Sequence, residues 1–457
     1  MGALLVRAVL GSAGVRIFGM LFGFGVGILL ARCLGAEGYG TYGLAMSILV
    51  LLTAPTECGL PQLITREMSA AQISLDRATQ RGILLWSSRA SMSIAFAVAA
   101  ALVTWLTLIE HDLDSPLSMA LLTGLPLVPL VALSNQRAAA LRGLEHLVKG
   151  QVPDVLVRPL AYVFLLGGSQ LIDYRLDVQS AMALGVASVA MALLAAEIML
   201  RRHLPSETRD ALPLMQSRRW WSSALPMSLT QGMRLLQNHL VVLLLGALVT
   251  RPEVGQFRVA SSLILLIAFP VSLLNVVVAP IITRLHAGNQ RIQLQRLLSW
   301  SALAMVLGTA LVALPFLVGG SELLALIFGD EFVGAEKPTT VLCVSAVANG
   351  FFGANSVLLN MVGRQKYVTK ASTIALCVLI VVAPALIVSH GVVGAAYASA
   401  LSTLIWNVRL WRDASRLLAL DTSFLYLCKR GLGDQDPKTE PDCAILKISS
   451  EAFRNHE

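Results

Sequence analysis

Between residues 12 and 411 the chain is a succession of twelve apolar runs of roughly twenty residues, separated by short polar breaks. At about 1.5 Å of helical rise per residue, each run is long enough to cross the ~30 Å hydrocarbon core of a bilayer. The chain therefore reads as an all-α integral membrane protein with about 12 transmembrane helices. Composition agrees: 14% of the residues are charged, where soluble domains carry about 25%. Pro55, Pro126, Pro226, Pro270 and Pro384 fall inside runs, where neighbouring helices can satisfy the freed backbone groups.

The Lys and Arg residues set the orientation. With a cytoplasmic N-terminus, 27 of the 35 fall on the inner side, four (Arg32, Arg175, Arg251, Lys337) outside, and four (Arg16, Arg89, Arg234, Arg258) inside runs. The inner segment LRGLEHLVKGQVPDVLVR ends on Arg158, which is counted with the inner group. This positive-inside asymmetry puts both termini in the cytoplasm and accounts for the net charge of +8. The basic linker RRHLPSETRDALPLMQSRRWW marks the inner surface and its anionic lipids. No basic patch interleaved with aromatics suggests nucleic acid. The six cysteines and seven histidines show no metal-ligand spacing. There is no Walker A motif and no loop long enough to enclose a catalytic site. The first apolar run is long and passes directly into a second, so no cleavable leader is expected.

The second half of the chain repeats the first. EVGQFRVASSLILLIAFP answers GYGTYGLAMSILVLLTAP, Thr283-Arg284 answers Thr65-Arg66, and Asn355 and Gly363 answer Asn135 and Gly143. Six spans per copy make a parallel repeat about an axis along the membrane normal, with a cleft between the copies. Residues 1–200 form the N-terminal six-helix bundle and 201–219 a cytoplasmic linker. Residues 220–411 form the C-terminal six-helix bundle, and 412–457 a cytoplasmic tail, partly disordered. The outer segment GSELLALIFGDEFVGAEKP, partly apolar, is expected along the membrane interface.

Candidate chemistry rests on charges inside the bilayer, each of which costs several kcal/mol unless it meets water or a partner. Arg234 lies near the middle of the run Trp220–Thr250, and Gln231 and Asn238, at i−3 and i+4, share its helix face. This polar stripe is read as the lining of a hydrophilic route. Arg16 and Arg258 join it as substrate-binding candidates. Arg89 either lines the cavity or snorkels, and Arg258, two residues into its run, alternatively anchors at the interface. Glycines 19, 23 and 27 in the first run predict close helix approach. Glu57 either reaches Arg66 and solvent at the inner end or forms a proton- or cation-binding site. His239 is read as a packing hydrogen bond. Arginine suits an anionic cargo because its planar fork binds phosphate oxygens bidentately.

The stretches LLARCLGAEGYGTYGLA, GLPQLITRE, ALIFGDEFVGA and GVVGAAYASALS resemble the polysaccharide (O-antigen and exopolysaccharide) flippases of the multidrug/oligosaccharidyl-lipid/polysaccharide exporter superfamily. The most specific parts are Arg32 with Gly35, Tyr39 and Gly40, the pair Thr65-Arg66, and Gly329-Asp330-Glu331-Phe332. The resemblance implies two pseudo-symmetric six-helix bundles in a V, with alternating access at the central cleft in a bacterial inner membrane. It implies a cargo of undecaprenyl-diphosphate-linked oligosaccharide, no cofactor beyond proton or sodium coupling, and the polymerase and glycosyltransferases of the pathway as partners. Arg32 joins the substrate-binding candidates on this ground. The family's acid before Gly-Leu is more often Asp, whereas Glu57 stands here with Cys58 intervening. The other readings are a drug or cation antiporter of the same fold, a membrane glycan polymerase or ligase, and a structural scaffold.

Overall fold

The computed structural model describes residues 2–110, 114–172 and 175–424, all of whose regular elements are helical. The N-terminal half holds α1 (Gly2–Glu57), α2 (Leu60–Ile73), α3 (Arg77–Trp105), α4 (Pro116–Gly124), α5 (Leu127–Gly143), α6 (Arg158–Leu171) and α7 (Val178–His203). A short α8 (Ser206–Asp210) lies in the linker. The C-terminal half holds α9 (Ser217–Leu248), α10 (Arg251–Ile267), α11 (Phe269–Ala287), α12 (Arg291–Val318), α13 (Gly320–Phe328), α14 (Glu336–Phe351), α15 (Asn355–Met361) and α16 (Gln365–Leu418).

Among the described residues, seven helical runs are long and apolar enough to cross a bilayer, and the bent pair α14–α15, with the turn before it, makes an eighth. Two of these runs double back. At Gly35 (φ 66°) and Gly391 (φ 57°) the backbone enters the left-handed region that glycine alone adopts freely. The chain then returns, so that Ser402 Oγ donates to the Ala375 carbonyl at 2.9 Å. With α6 and α9, the described helices form twelve passes in the chain order the sequence predicts. The repeat is visible in its breaks. The second pass of each half is interrupted, at Cys58–Gly59 between α1 and α2 and at Ala268 between α10 and α11. The fourth is too, at Leu125–Pro126 between α4 and α5 and at Phe352–Ala354 between α14 and α15.

Caps fix the helix starts. Asp76 accepts from the Thr79 backbone N–H at 2.9 Å and its hydroxyl at 2.6 Å. These bonds hold its carboxyl below the usual aspartate range. Thr250 and Glu253 form a reciprocal capping box at α10, and Arg201, Arg202 and His203 sit in the last turn of α7, where the helix dipole favours cations. The linker straps back over α3 through Leu214 N–H to the Ala78 carbonyl, 3.1 Å, and Arg81 Nη1 to the Ala211 carbonyl, 2.8 Å. The tail expectation for residues 425–457 falls outside the described residues.

The halves share a core at the arginine-poor face, the end bearing Arg32, Arg251 and Lys337. Leu30, Tyr39 and Tyr42 of α1 are buried there with Val259 and Leu263 of α10, Phe316 of α12 and Phe328 of α13. The segment expected along the membrane interface does something else: Leu324, Phe328 and Phe332 are fully buried in this seam, Phe328 edge-on to Phe24 at 6.0 Å and Phe332 edge-on to Tyr39 at 6.1 Å. Burying these rings between the halves removes more apolar surface from water than a headgroup layer can.

Candidate functional site

The second pass, running down α1 from Tyr39 to Glu57, forms the N-terminal half's wall of the seam. At its arginine-poor end it meets α10 backbone to backbone. A methyl group on Gly40 would stand 1.9 Å from the Arg251 carbonyl oxygen, and one on Gly255 would stand 2.1 Å from that of Ala36. Only glycine permits this crossing. Polar clasps surround it. Arg32 Nε donates to the Ile327 carbonyl at 2.8 Å and Nη2 to that of Leu326, satisfying the last turn of α13. The Ala36 N–H donates to Glu331 Oε2 at 2.7 Å. The motif residues Arg32, Gly35 and Glu331, which the chain separates by nearly three hundred positions, thus close one end of the seam.

One turn further down, Arg258 lies flat on Gly43, where a Cβ would meet its side chain at 2.8 Å, and bonds the Tyr39 hydroxyl. Tyr162 donates to Tyr42 Oη at 3.1 Å, and His239 Nδ1 of α9 lies 3.3 Å from Ser47 Oγ. Below Arg258, along α1 from Met46 to Glu57, a cavity of ≈190 Å³ opens between the halves. Its polar lining is Thr53, Glu57, Asn135, Arg158 and Gln231; Met46, Leu49, Val50 and Leu235 are among its apolar walls.

Each polar member has a structural reason to be there. Asn135 Nδ2, from α5, donates to Glu57 Oε1 at 2.5 Å. Gln231 of α9 bonds Glu57 from the opposite half and accepts from Gln62 Nε2 at 3.4 Å. Glu57 does not reach Arg66, which pairs with Glu67 at 2.8 Å. Asp154 accepts from Ser134 Oγ at 2.7 Å and is within electrostatic reach of Arg158 and Arg142. Arg158 opens α6 after a wide π-helical turn, Pro153–Val157. Among the described residues it makes no ion pair or hydrogen bond, so its donors remain available to whatever enters the cavity.

The sequence candidates divide. Gln231 and Glu57 come together in the cavity. Arg234 and Asn238 do not line it, but both are exposed. α9 faces α1 through Gln231, Leu235 and His239 and reaches α16 through Gln237. Away from these contacts, Leu225 and Leu229 are 57% and 68% exposed. Arg234 and Asn238 each stand nine residues beyond one of these leucines, about 180° around the helix, and so open on the opposite side, where Leu248, fourteen residues beyond Arg234, is 44% exposed as well. Arg258 lies between the halves above the cavity. Arg16 Nε donates to Gln151 Oε1 at 3.3 Å, beside Ser12 on the same oxygen. Arg89 shares an exposed stripe of α3 with Phe96 and Val103, seven and fourteen residues on, the lipid-facing side. Neither it nor Arg32 reaches the cavity. Of the glycine stripe, Gly19 makes the close approach, 2.0 Å from Cβ to the Val155 carbonyl, while Gly23 has nothing within 4 Å. Arg158 was hidden among the inner-loop cations; the signal that could have found it is Asp154 four residues earlier, an acid–arginine pair on one face at the edge of an apolar run.

The sequence profile of the family described as "Polysaccharide biosynthesis protein" matches residues 5–286. A search of curated protein sequences finds no match. Among solved structures, the chain is similar to an inward-facing multidrug resistance MATE family transporter of the MOP superfamily, at 13% identity and TM-score 0.71, over 92% of this chain and 98% of that one. It is similar to the lipid II flippase MurJ in an inward closed conformation, at 12% identity and TM-score 0.65, over 88% and 86%. A third is a MOP superfamily transporter from Pyrococcus furiosus whose binding pocket is described as of reverse polarity, at 12% identity and TM-score 0.60, over 93% and 95%. At these identities the likeness is one of fold.

Proposed function

Because the chain belongs to the polysaccharide biosynthesis protein family, we propose that it is a flippase for a lipid-linked oligosaccharide. The cargo is a polyprenyl diphosphate carrying an O-antigen or exopolysaccharide repeat unit, moved from the inner to the outer leaflet of a bacterial inner membrane. The arginine-rich face is then cytoplasmic. The observation that carries this reading is Arg158, an arginine with no hydrogen bond or ion pair among the described residues, in a cavity between two halves of a membrane protein, with the amides of Asn135 and Gln231 beside it. A guanidinium with free donors is a bidentate seat for a diphosphate, and amides suit sugar hydroxyls. Arg234 and Asn238 extend the polar surface along α9 toward the arginine-poor face, so that the charged headgroup travels between the halves while the polyprenyl tail stays in lipid. Glu57 is the candidate for proton or sodium coupling.

The test is complementation of a strain lacking its own flippase. Arg158→Ala should abolish surface glycan while the protein remains in the membrane at wild-type amount, and Arg158→Lys should restore only part of it. Normal glycan with Arg158→Ala would end the assignment. Glu57 and Asp154 also favour a second reading, an antiporter for organic cations, since two carboxylates lie in or beside the cavity. That reading requires raised drug resistance on overexpression, lost with Glu57→Gln, and no glycan phenotype.

A further inference from the structure

We infer that the arginine-rich face of the C-terminal half holds a separate site for the phosphate of an anionic lipid, in a cavity of ≈550 Å³ between the start of α12 and the end of α16. Its lining includes Arg291, Gln295, Arg296, Ser415, Leu420 and Asp421. The inference is independent of the transport reading, since none of these residues touches the cavity between the halves.

The architecture is built, and one cation in it is left over. Gln295 is 7% exposed and closes the floor: its Nε2 donates to the Asp421 carbonyl at 2.6 Å, and its Oε1 accepts from the Asp421 N–H at 2.9 Å. The Asp421 carboxylate, also in the lining, is held by its Oδ1, which accepts from Trp411 Nε1 and from the N–H and hydroxyl of Ser423. Arg291 Nη2 donates to the Leu418 carbonyl at 2.5 Å and so ends α16. Arg296 has no partner among the described residues, although it is exposed on the rim.

The position of Arg296 identifies the ligand. It lies on α12 midway between Ile292 and Trp300, one helical turn from each, on a stripe that continues through Leu307, Leu311 and Leu314. All five apolar residues are exposed, from 54% to 73%. That stripe is the hydrocarbon-facing side of α12, and a tryptophan followed one turn outward by an arginine marks the level where acyl chains give way to headgroups. A phosphate entering here keeps its tails on the Leu307–Leu314 stripe and its oxygens on Arg296 and Arg291. A soluble phosphate ester would use the same donors without that stripe.

Native mass spectrometry of the full chain in neutral detergent, titrated with phosphatidylglycerol, phosphatidylcholine and glycerol 3-phosphate, separates these cases. Phosphatidylglycerol should bind in preference to phosphatidylcholine. Arg296→Gln should weaken it roughly 5-fold and Arg296→Glu roughly 30-fold, the weights of one and two unit charges at an anionic surface. Arg364→Gln, on the same face outside the cavity, should leave it unchanged. Equal weakening by Arg364→Gln, or no preference for the anionic lipid, would overturn the site. Displacement by millimolar glycerol 3-phosphate would overturn the lipid assignment in favour of a soluble ester.

Discussion

Replacing Arg32 by alanine should loosen the seam at the arginine-poor face without touching the cavity. Its guanidinium holds the carbonyls of Leu326 and Ile327 on the other half of the molecule. Hydrogen bonds to charged groups contribute a net 1.5–3 kcal/mol or so each. Because Arg32 is exposed and screened, the two together contribute about 2–3 kcal/mol to the closed seam. At about 1.4 kcal/mol per factor of ten, their loss shifts the closed-to-open ratio roughly 25–140-fold. An open seam populated at about 1% would rise to roughly 20–60%. The shift is readable by pulsed electron spin resonance between labels at Asp114→Cys and Lys337→Cys, both exposed at this face, after replacement of the six native cysteines. The expected result is a new, longer distance population with Arg32→Ala and a smaller one with Arg32→Lys. An unchanged distance distribution in a folded Arg32→Ala protein would refute the reasoning. A lower melting temperature without any distance change would mean that Arg32 stabilises α13 alone.

Three further outcomes are expected. Gly40→Ala forces a methyl to within 1.9 Å of the Arg251 carbonyl and should destabilise the protein by about 1–3 kcal/mol or more; Gly14→Ala, with nothing within 4 Å, should leave the melting temperature unchanged or raise it. Glu57→Gln keeps a side chain that can bond Asn135 but removes the ionisable group, so transport in proteoliposomes should lose its response to an imposed pH gradient if Glu57 carries the coupled proton; an unchanged response would exclude it from that role. The Asp76 cap has a folded-state pKa below its ordinary 3.8, so its contribution is full above that value and is lost as pH falls through the lower folded value. Protection from hydrogen exchange at the first turn of α3, relative to the intrinsic rate at each pH, should therefore fall as the pH is lowered below about 4, and with Asp76→Ala it should be low at neutral pH as well.

The passes were legible because hydropathy is a property of each segment alone, and the correspondence of Pro55 and Pro270 was legible because the repeat kept it, though not the helix breaks beside them. The site was legible only in part. Gln231, Arg234 and Asn238 lie close on one side of α9, yet a helix edge can serve two spaces: Gln231 turns toward Glu57, while Arg234 and Asn238 open on the far side from Leu225 and Leu229. Arg158 was illegible because an arginine at the edge of an apolar run, next to Arg142 and Lys149, has the same local pattern as a snorkelling flank. What separates them is the packing of α6 against α1 and α7. For the same reason Arg32 and Glu331 could not be read as a clasp, since their contact exists only after both halves have folded.

The glycine crossing has a mechanical consequence. Two helices that touch backbone to backbone at one point can rotate there without separating, so Gly40 and Gly255 form a fulcrum near one end of a long arm. Glu57 lies seventeen residues from Gly40 along the same pass, a lever of about 25 Å. A rocking of about 15° would leave the fulcrum almost still and sweep the level of Glu57, Arg158 and Gln231 by about 7 Å.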